Sequence, residues 1–189
     1  MVSALYRHFL LLGRIHKHFN SISLADKSFS QVLEQGDGCL GWDVEKREAT
    51  IYDSGDQQFD TTTIQQLVRA VTSILCHPNE TSNQYIFVNS FTLTQNLLLS
   101  TLERLQNTKY DTSADEAVAI AARGEEKLNR GDYSGYPDIV TGCSYASWNY
   151  SHFEPAVVAK WKTTLDLNEV EDVDTVISEV LQNKGLMAI

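Results

Sequence analysis

The sequence predicts an α/β fold with few strands and several helices, and three observations carry that reading. Thr61 to Leu105 reads helix, strand, helix in its hydrophobic patterning, an alternation that favours packed layers over an all-helical bundle. The chain of 189 residues is 42% hydrophobic, too apolar for a disordered chain, and a domain of this length buries roughly 70% of its unfolded surface without staples. Its three cysteines, Cys39, Cys76 and Cys143, are odd in number and widely spaced. They form no CxxC pair, and they read as buried, reduced thiols of an intracellular protein.

The elements follow in order. In residues 1–37, Leu5, Phe9 and Leu12 fall at helical spacing. His16 and His18, two positions apart on a helix, point away from each other and read as part of a solvated basic face. The run Phe9-Leu10-Leu11-Leu12 is too short to span a membrane, and no small-x-small cleavage site follows it closely, so the chain reads as cytoplasmic. Glu48–Tyr52 reads as a short strand closed by Asp53-Ser54-Gly55-Asp56. Asp60–Thr63 offers a helix N-cap, and behind it Ile64, Leu67, Val68, Val71, Ile74 and Leu75 recur with helical period. That helix is expected to stop at His77-Pro78-Asn79, because proline disfavours a helical predecessor. The run Gln84–Asn89 is short, apolar and rich in β-formers, the pattern of a buried strand. Thr92 or Thr94 caps the next helix, with Leu97, Leu98, Leu102 and Leu105 on its apolar face.

A strand is then expected near Lys109–Asp111. A helix follows from Ser113, with Val118, Ala121 and Ala122 inward and Gly131 just past its cap. Residues 132–162 read as aromatic and irregular. A last helix over about residues 171–182 carries Val173, Val176, Ile177, Val180 and Leu181 on one face. The six acids between Thr163 and Leu181 read as a solvated surface.

Charge excludes some functions. A formal net charge of -10 argues against sequence-independent binding to nucleic acid, where phosphates demand a basic face, and against an anionic membrane surface. Gly36-Asp37-Gly38-Cys39-Leu40-Gly41 matches G-x-G-x-x-G letter for letter. That fingerprint holds a pyrophosphate only with a strand before it and a helix N-terminus after it. Here the upstream segment is polar and the downstream one leads into a strand, so a glycine-rich turn is the better account. No phosphate loop, nucleophile elbow or zinc-protease motif occurs, and no Tyr is followed four residues later by Lys. The best pocket candidates are Phe91, Tyr145, Trp148, Tyr150 and His152, since aromatic walls with a few polar groups are what small-molecule sites are made of. Packing of the same aromatics in the C-terminal lobe is the competing reading. His152 could serve as an acid or base, or as a hydrogen-bonded structural residue.

Gly41-Trp42-Asp43, the charged stretch after it, and Ala49-Thr50-Ile51-Tyr52-Asp53-Ser54-Gly55-Asp56 resemble a segment of fungal NmrA-like, isoflavone-reductase-like proteins, which are atypical short-chain dehydrogenases. The likeness continues through Phe59–Ile64, Val68–Val71, His77–Thr81 and Gln84–Gln95, and covers about residues 38–182. The resemblance implies an incomplete Rossmann-type fold, mainly the C-terminal, substrate-side part, with residues 38–189 as the family-like region and residues 1–37 as a non-matching segment. It implies an NADP- or NAD-dependent oxidoreductase acting on a small metabolite in fungal secondary metabolite biosynthesis. The family's dinucleotide-binding loop has no counterpart in these residues, and no cofactor-binding residue is named. The alternative function is a non-catalytic remnant or redox-sensing regulatory module. A protein partner or self-association is expected in that case, because half a sheet fold exposes apolar faces.

Overall fold

The computed structural model of the chain describes Leu33, residues 39–148 and residues 151–187. The helical spacing of Leu5 to Leu12, His16 and His18, Gly36 to Gly38 and Tyr150 lie outside the described residues. A 3-10 turn at Cys39–Gly41 leads into strand β1, Trp42–Asp43. Gly41 has φ +84, and a Cβ there would stand 2.7 Å from the Thr50 carbonyl oxygen, so only glycine lets the turn close onto the next strand. β2 is Glu48–Tyr52 and pairs antiparallel with β1. Between them Asp43 accepts the Lys46 N–H at 3.0 Å and its ammonium at 2.9 Å, fixing the turn.

The chain continues as β3 (Phe59–Thr61), α1 (Ile64–Cys76), α2 (Pro78–Thr81), β4 (Phe91–Leu93) and α3 (Gln95–Gln106). β5 (Asp111–Asp115), α4 (Ala117–Asn129), α5 (Gly135–Tyr145), α6 (Pro155–Thr164) and α7 (Val173–Asn183) complete it. β5 lies parallel to β2, from Glu48 opposite Asp111 to Tyr52 opposite Asp115, giving a sheet ordered β1-β2-β5. β3 and β4 form a separate antiparallel pair, Phe59 opposite Leu93 and Thr61 opposite Phe91. The fold is mixed α/β with few strands and several helices, as the patterning predicts. Among the described residues no helix is long and apolar enough to cross a membrane.

Two apolar cores result among the described residues. The larger gathers Trp42, Ala49 and Tyr52 from the first sheet, Leu98 and Leu102 from α3, Tyr145 from α5 and Ile177 and Leu181 from α7. The smaller joins Ala70 and Ile74 of α1 to Trp161 of α6 and to Leu165 and Leu167 just beyond it. α4 and α5 meet backbone to backbone. A Cβ on Gly124 would stand 2.5 Å from the Gly135 carbonyl oxygen, and one on Gly142 2.5 Å from that of Ala117.

Several expectations hold in place but not in detail. α1 is capped by the Thr63 hydroxyl, which accepts the Gln66 N–H. Its buried stripe is Gln66, Ala70 and Ile74, whereas Val68 and Leu75 are 57% and 74% exposed. The stripe that touches Trp161 is set by what α6 offers, and the more apolar side of the helix faces out. Thr94, not Thr92, caps α3. The fifth strand and the helix after it begin later than the patterning suggests. Ala117 and Gly124 are buried in that helix while Val118 is 56% exposed, because the close helix contact selects small residues over large ones. Gly131, with φ +80, stands just past the cap as expected.

Three readings are corrected. Gln84–Asn89 is not a strand: the ladder on β3 forms further along, at Phe91–Leu93, and Ile86, Phe87 and Val88 pack on the smaller core instead. Residues 132–162 are not irregular but hold α5 and α6. Cys76 is exposed rather than buried, at the end of α1, while Cys143 is half-buried, and burial pushes its thiol up.

Candidate functional site

Between the β3–β4 pair and α6 lies a seam of polar side chains. At its centre is Asp60 of β3, whose side chain is only 2% exposed. A buried carboxylate is tolerated only when donors surround it. One Asp60 oxygen accepts the Asn89 amide and the Thr92 hydroxyl, each at 2.6 Å. The other accepts the Phe153 N–H at 2.6 Å and lies 3.3 Å from His152 Nδ1. The Asp60 N–H donates in turn to the Ser151 carbonyl at 2.6 Å. Asp60 therefore pins the segment 151–153 to the strand pair, and the His152 side chain keeps 27% exposure. His152 Nδ1 is thus buried within ion-pair distance of the Asp60 carboxylate but makes no hydrogen bond to it among the described residues.

The seam continues to Glu171. Its carboxylate accepts the Thr63 hydroxyl at 2.7 Å and the Arg69 guanidinium at 2.6 Å, with Glu169 on the same guanidinium at 3.1 Å. Burial opposes the charge on Glu171. Hydrogen bonds from Ser90, Thr63 and Arg69 outweigh burial and hold the carboxyl below its ordinary range. Thr63 caps α1, so Glu171 supplies the negative charge that a helix N-terminus favours, and that end of the helix is already occupied from within. The acid is thus not the solvated one that the sequence suggests. Lys162 of α6 borders both carboxylates. Burial pushes its ammonium down, and the charges of Asp60 and Glu171 act the other way.

The structure separates the sequence-derived pocket residues. Phe91 is half-buried on β4 against the larger core. Tyr145 is 1% exposed, stacked on Tyr52 at 5.5 Å and edge-on to Phe59 at 5.4 Å. Its hydroxyl accepts the Trp42 indole N–H at 3.3 Å and donates to the Leu40 carbonyl at 3.1 Å. Trp148 is 43% exposed. Of the four that are described, His152 alone stands in the seam. Sequence reading missed Asp60, Asn89, Thr92, Lys162 and Glu171. Asp60 carried a faint signal, an acid between Phe59 and three threonines, which reads as part of a helix N-cap.

Two open depressions flank these features. One, of about 470 Å³, lies over the first sheet and is lined by Gly41, Lys46, Thr50, Tyr52, Asp111 and Ser113 among others. The other, of about 350 Å³, runs along α1 past Arg69, Ser73, Cys76, Leu165, Asp166 and Glu169. Among the described residues no group of three His, Cys, Asp or Glu could hold a metal ion. The turn before β1 does not form a phosphate cradle at Gly41. The turn at Cys39–Gly41 enters a strand rather than a helix, and the space at Gly41 is filled by Thr50 and Tyr52 instead of being left for a phosphate.

No family model matches the chain. Over 147 residues it is 26% identical to the oxidoreductase poxI of Penicillium oxalicum, covering 76% of this chain and 46% of that protein. Over 146 residues it is 27% identical to the oxidoreductase aprR of Aspergillus flavus, covering 76% of this chain and 48% of that protein. The chain thus spans about half the length of these relatives. Among solved structures it resembles a nucleoside-diphosphate-sugar epimerase from Staphylococcus aureus, with TM-score 0.50 and 13% identity over 71% of this chain and 44% of that one. It also resembles the triphenylmethane reductase of a Citrobacter species, complexed with NADP(H), with TM-score 0.50 and 13% identity over 73% and 46% of the two chains.

Proposed function

We propose that this chain is the substrate-side part of an NmrA-like, NAD(P)-dependent oxidoreductase of the short-chain-dehydrogenase type, acting on a small metabolite in fungal secondary metabolite biosynthesis. The observation that carries the reading is the similarity over 76% of the chain to two fungal proteins named as oxidoreductases. The resemblance in fold to an epimerase and to a reductase complexed with NADP(H) supports it at the level of architecture. In this reading the described residues supply the walls of the substrate site and its proton chemistry, and the nicotinamide is held by other residues. Reduction of a carbonyl or imine adds a proton as well as a hydride. His152, 3.3 Å from the buried Asp60 carboxylate, is the candidate in this reading to exchange that proton with a substrate heteroatom, and Lys162 stands in the same seam.

A second reading, a non-catalytic or redox-sensing module, is favoured by the turn at Gly41, which leads into a strand and leaves no room for a phosphate. Titration of the purified chain with NADPH and NADH, followed by nicotinamide fluorescence, separates the two. Saturable micromolar binding with turnover that His152→Asn abolishes supports the oxidoreductase. Absence of any binding at millimolar cofactor sinks catalysis by this chain on its own.

A further inference from the structure

The outward side of α1 is apolar where a surface helix is ordinarily polar. Ile64, Val68 and Leu75 are 42%, 57% and 74% exposed, and half-buried Val71 lies between the last two. The four recur at intervals of 4, 3 and 4 residues, the spacing of a seam between two packed helices. Exposed apolar residues scattered singly are ordinary, but a contiguous stripe of them marks an interaction surface. A groove of about 350 Å³ continues the stripe, lined by Val68, Thr72 and Cys76 of the helix and by Leu165 and Leu167 of the segment after α6. The stripe itself carries no charge. Arg69 is the only charged residue of Ile64–Cys76, and Glu171 and Glu169 hold its guanidinium at 2.6 and 3.1 Å.

We propose that this stripe is the interface of a homodimer in which α1 packs antiparallel on α1 of a second copy. The pairing does not depend on the proposed function. The stripe itself selects that occupant. Its four positions are symmetric about the middle of the helix, so a two-fold axis there sets Ile64 against the partner's Leu75 and Val68 against the partner's Val71. A foreign helix would need no such symmetry. Charge selects it too. Two copies that each carry a formal net charge of -10 repel wherever acids face acids, and on the uncharged side of α1 they meet without that penalty. The antiparallel sense opposes the two helix dipoles and keeps Glu171, bonded to the Thr63 cap of one helix, away from its equivalent on the other. Area sets the strength. A helix of 13 residues is about 20 Å long, so stripe and groove together fall short of the roughly 800 Å² per partner of a standard interface. The expected dissociation constant is about 10–100 μM, that of a transient pair.

Sedimentation equilibrium of the whole 189-residue chain over about 1–300 μM tests the pairing. The weight-average mass is expected to rise from that of one chain, 21.2 kDa, toward that of two across this range. Val68→Glu sets like charges near each other across the two-fold axis and is expected to hold the chain at one copy throughout. Its melting temperature at about 1 μM stays within about 2 °C of the parent's, because the side chain is more than half exposed. Two further variants test the register. Ile64→Lys and Leu75→Glu, each alone, are expected to weaken the dimer by about 10-fold or more, and an equimolar mixture regains it. In the mixed pair one end joins the introduced lysine to the partner's introduced glutamate, and the other keeps the native contact. The mixture decides the matter even where Val68→Glu lowers the melting temperature. A chain that stays at one copy at about 300 μM overturns the proposal. A dimer that survives Val68→Glu lies on another face and overturns it as well, and so does a mixture of the two charge variants no tighter than either alone.

Discussion

Tyr145 and His152 stand a few residues apart in sequence, and they sit in two regions built on opposite principles. The larger core around Tyr145 is dry. Its polar atoms are few, each is matched at short range, and its energy comes from apolar area removed from water. The seam around His152 holds two carboxylates, a guanidinium and an ammonium near one another, and it persists because donors outnumber the ways of leaving them unpaired. An aromatic residue in the first region is architecture. A titratable residue in the second stands among charged and polar groups that are themselves held by hydrogen bonds. Composition alone marks both regions as aromatic and irregular; only the burial of Asp60 tells them apart.

The contrast can be broken or sharpened by substitution. Leu102→Ala, at a side chain with 0% exposure in the dry core, is expected to lower unfolding free energy by about 2–5 kcal/mol, measured by urea denaturation. Asp60→Asn replaces an acceptor with a donor amid donors and is expected to cost about 2 kcal/mol. Its signature is local as well: faster amide exchange at Phe153 and loosening of the 151–153 segment. If Asp60→Asn left that exchange unchanged, the carboxylate would not be what orients His152. Tyr145→Phe keeps the ring stack but strips the Trp42 indole of its acceptor, for about 1–2 kcal/mol, with no effect on any activity that His152→Asn removes.

Glu171→Gln separates the regions by pH. The folded-state pKa of Glu171 is depressed, so its contribution is present above the ordinary carboxylate range and is lost as pH falls through the folded value. The difference in urea midpoint between the native chain and Glu171→Gln, present at neutral pH, should close as pH falls below the ordinary carboxylate range and through the depressed folded value, whereas that of Tyr145→Phe should not change with pH there. Smallest of all is Leu75→Ser, on the outward side of α1 at 74% exposure, expected within about 0.5 kcal/mol of the parent. A large loss there would mean that the apolar side of α1 is covered after all.

The elements that sequence patterning reads well are those whose signals are local. β2 stands where its β-formers and closing turn put it, and α7 where its apolar spacing does. Thr63 and Gly131 mark helix ends by chemistry that needs no partner. What escaped reading depends on distant neighbours. The inward stripe of α1 is chosen by Trp161, far along the chain. α5 hides because its packing needs Gly135 and Gly142 where a helical pattern would show large apolar residues. The seam was legible at His152 and nowhere else, because Asp60, Asn89, Lys162 and Glu171 are ordinary surface residues by type and become a site only when four separate segments converge.

The glycine contacts between α4 and α5 carry a mechanical consequence. Where Gly124 meets Gly135 and Gly142 meets Ala117, no layer of side chains lies between the backbones to compress or slide. The pair is accordingly a stiff hairpin that ends at Tyr145. A push on α4 is delivered almost undamped to that ring, so the hairpin acts as a strut that transmits load into the larger core.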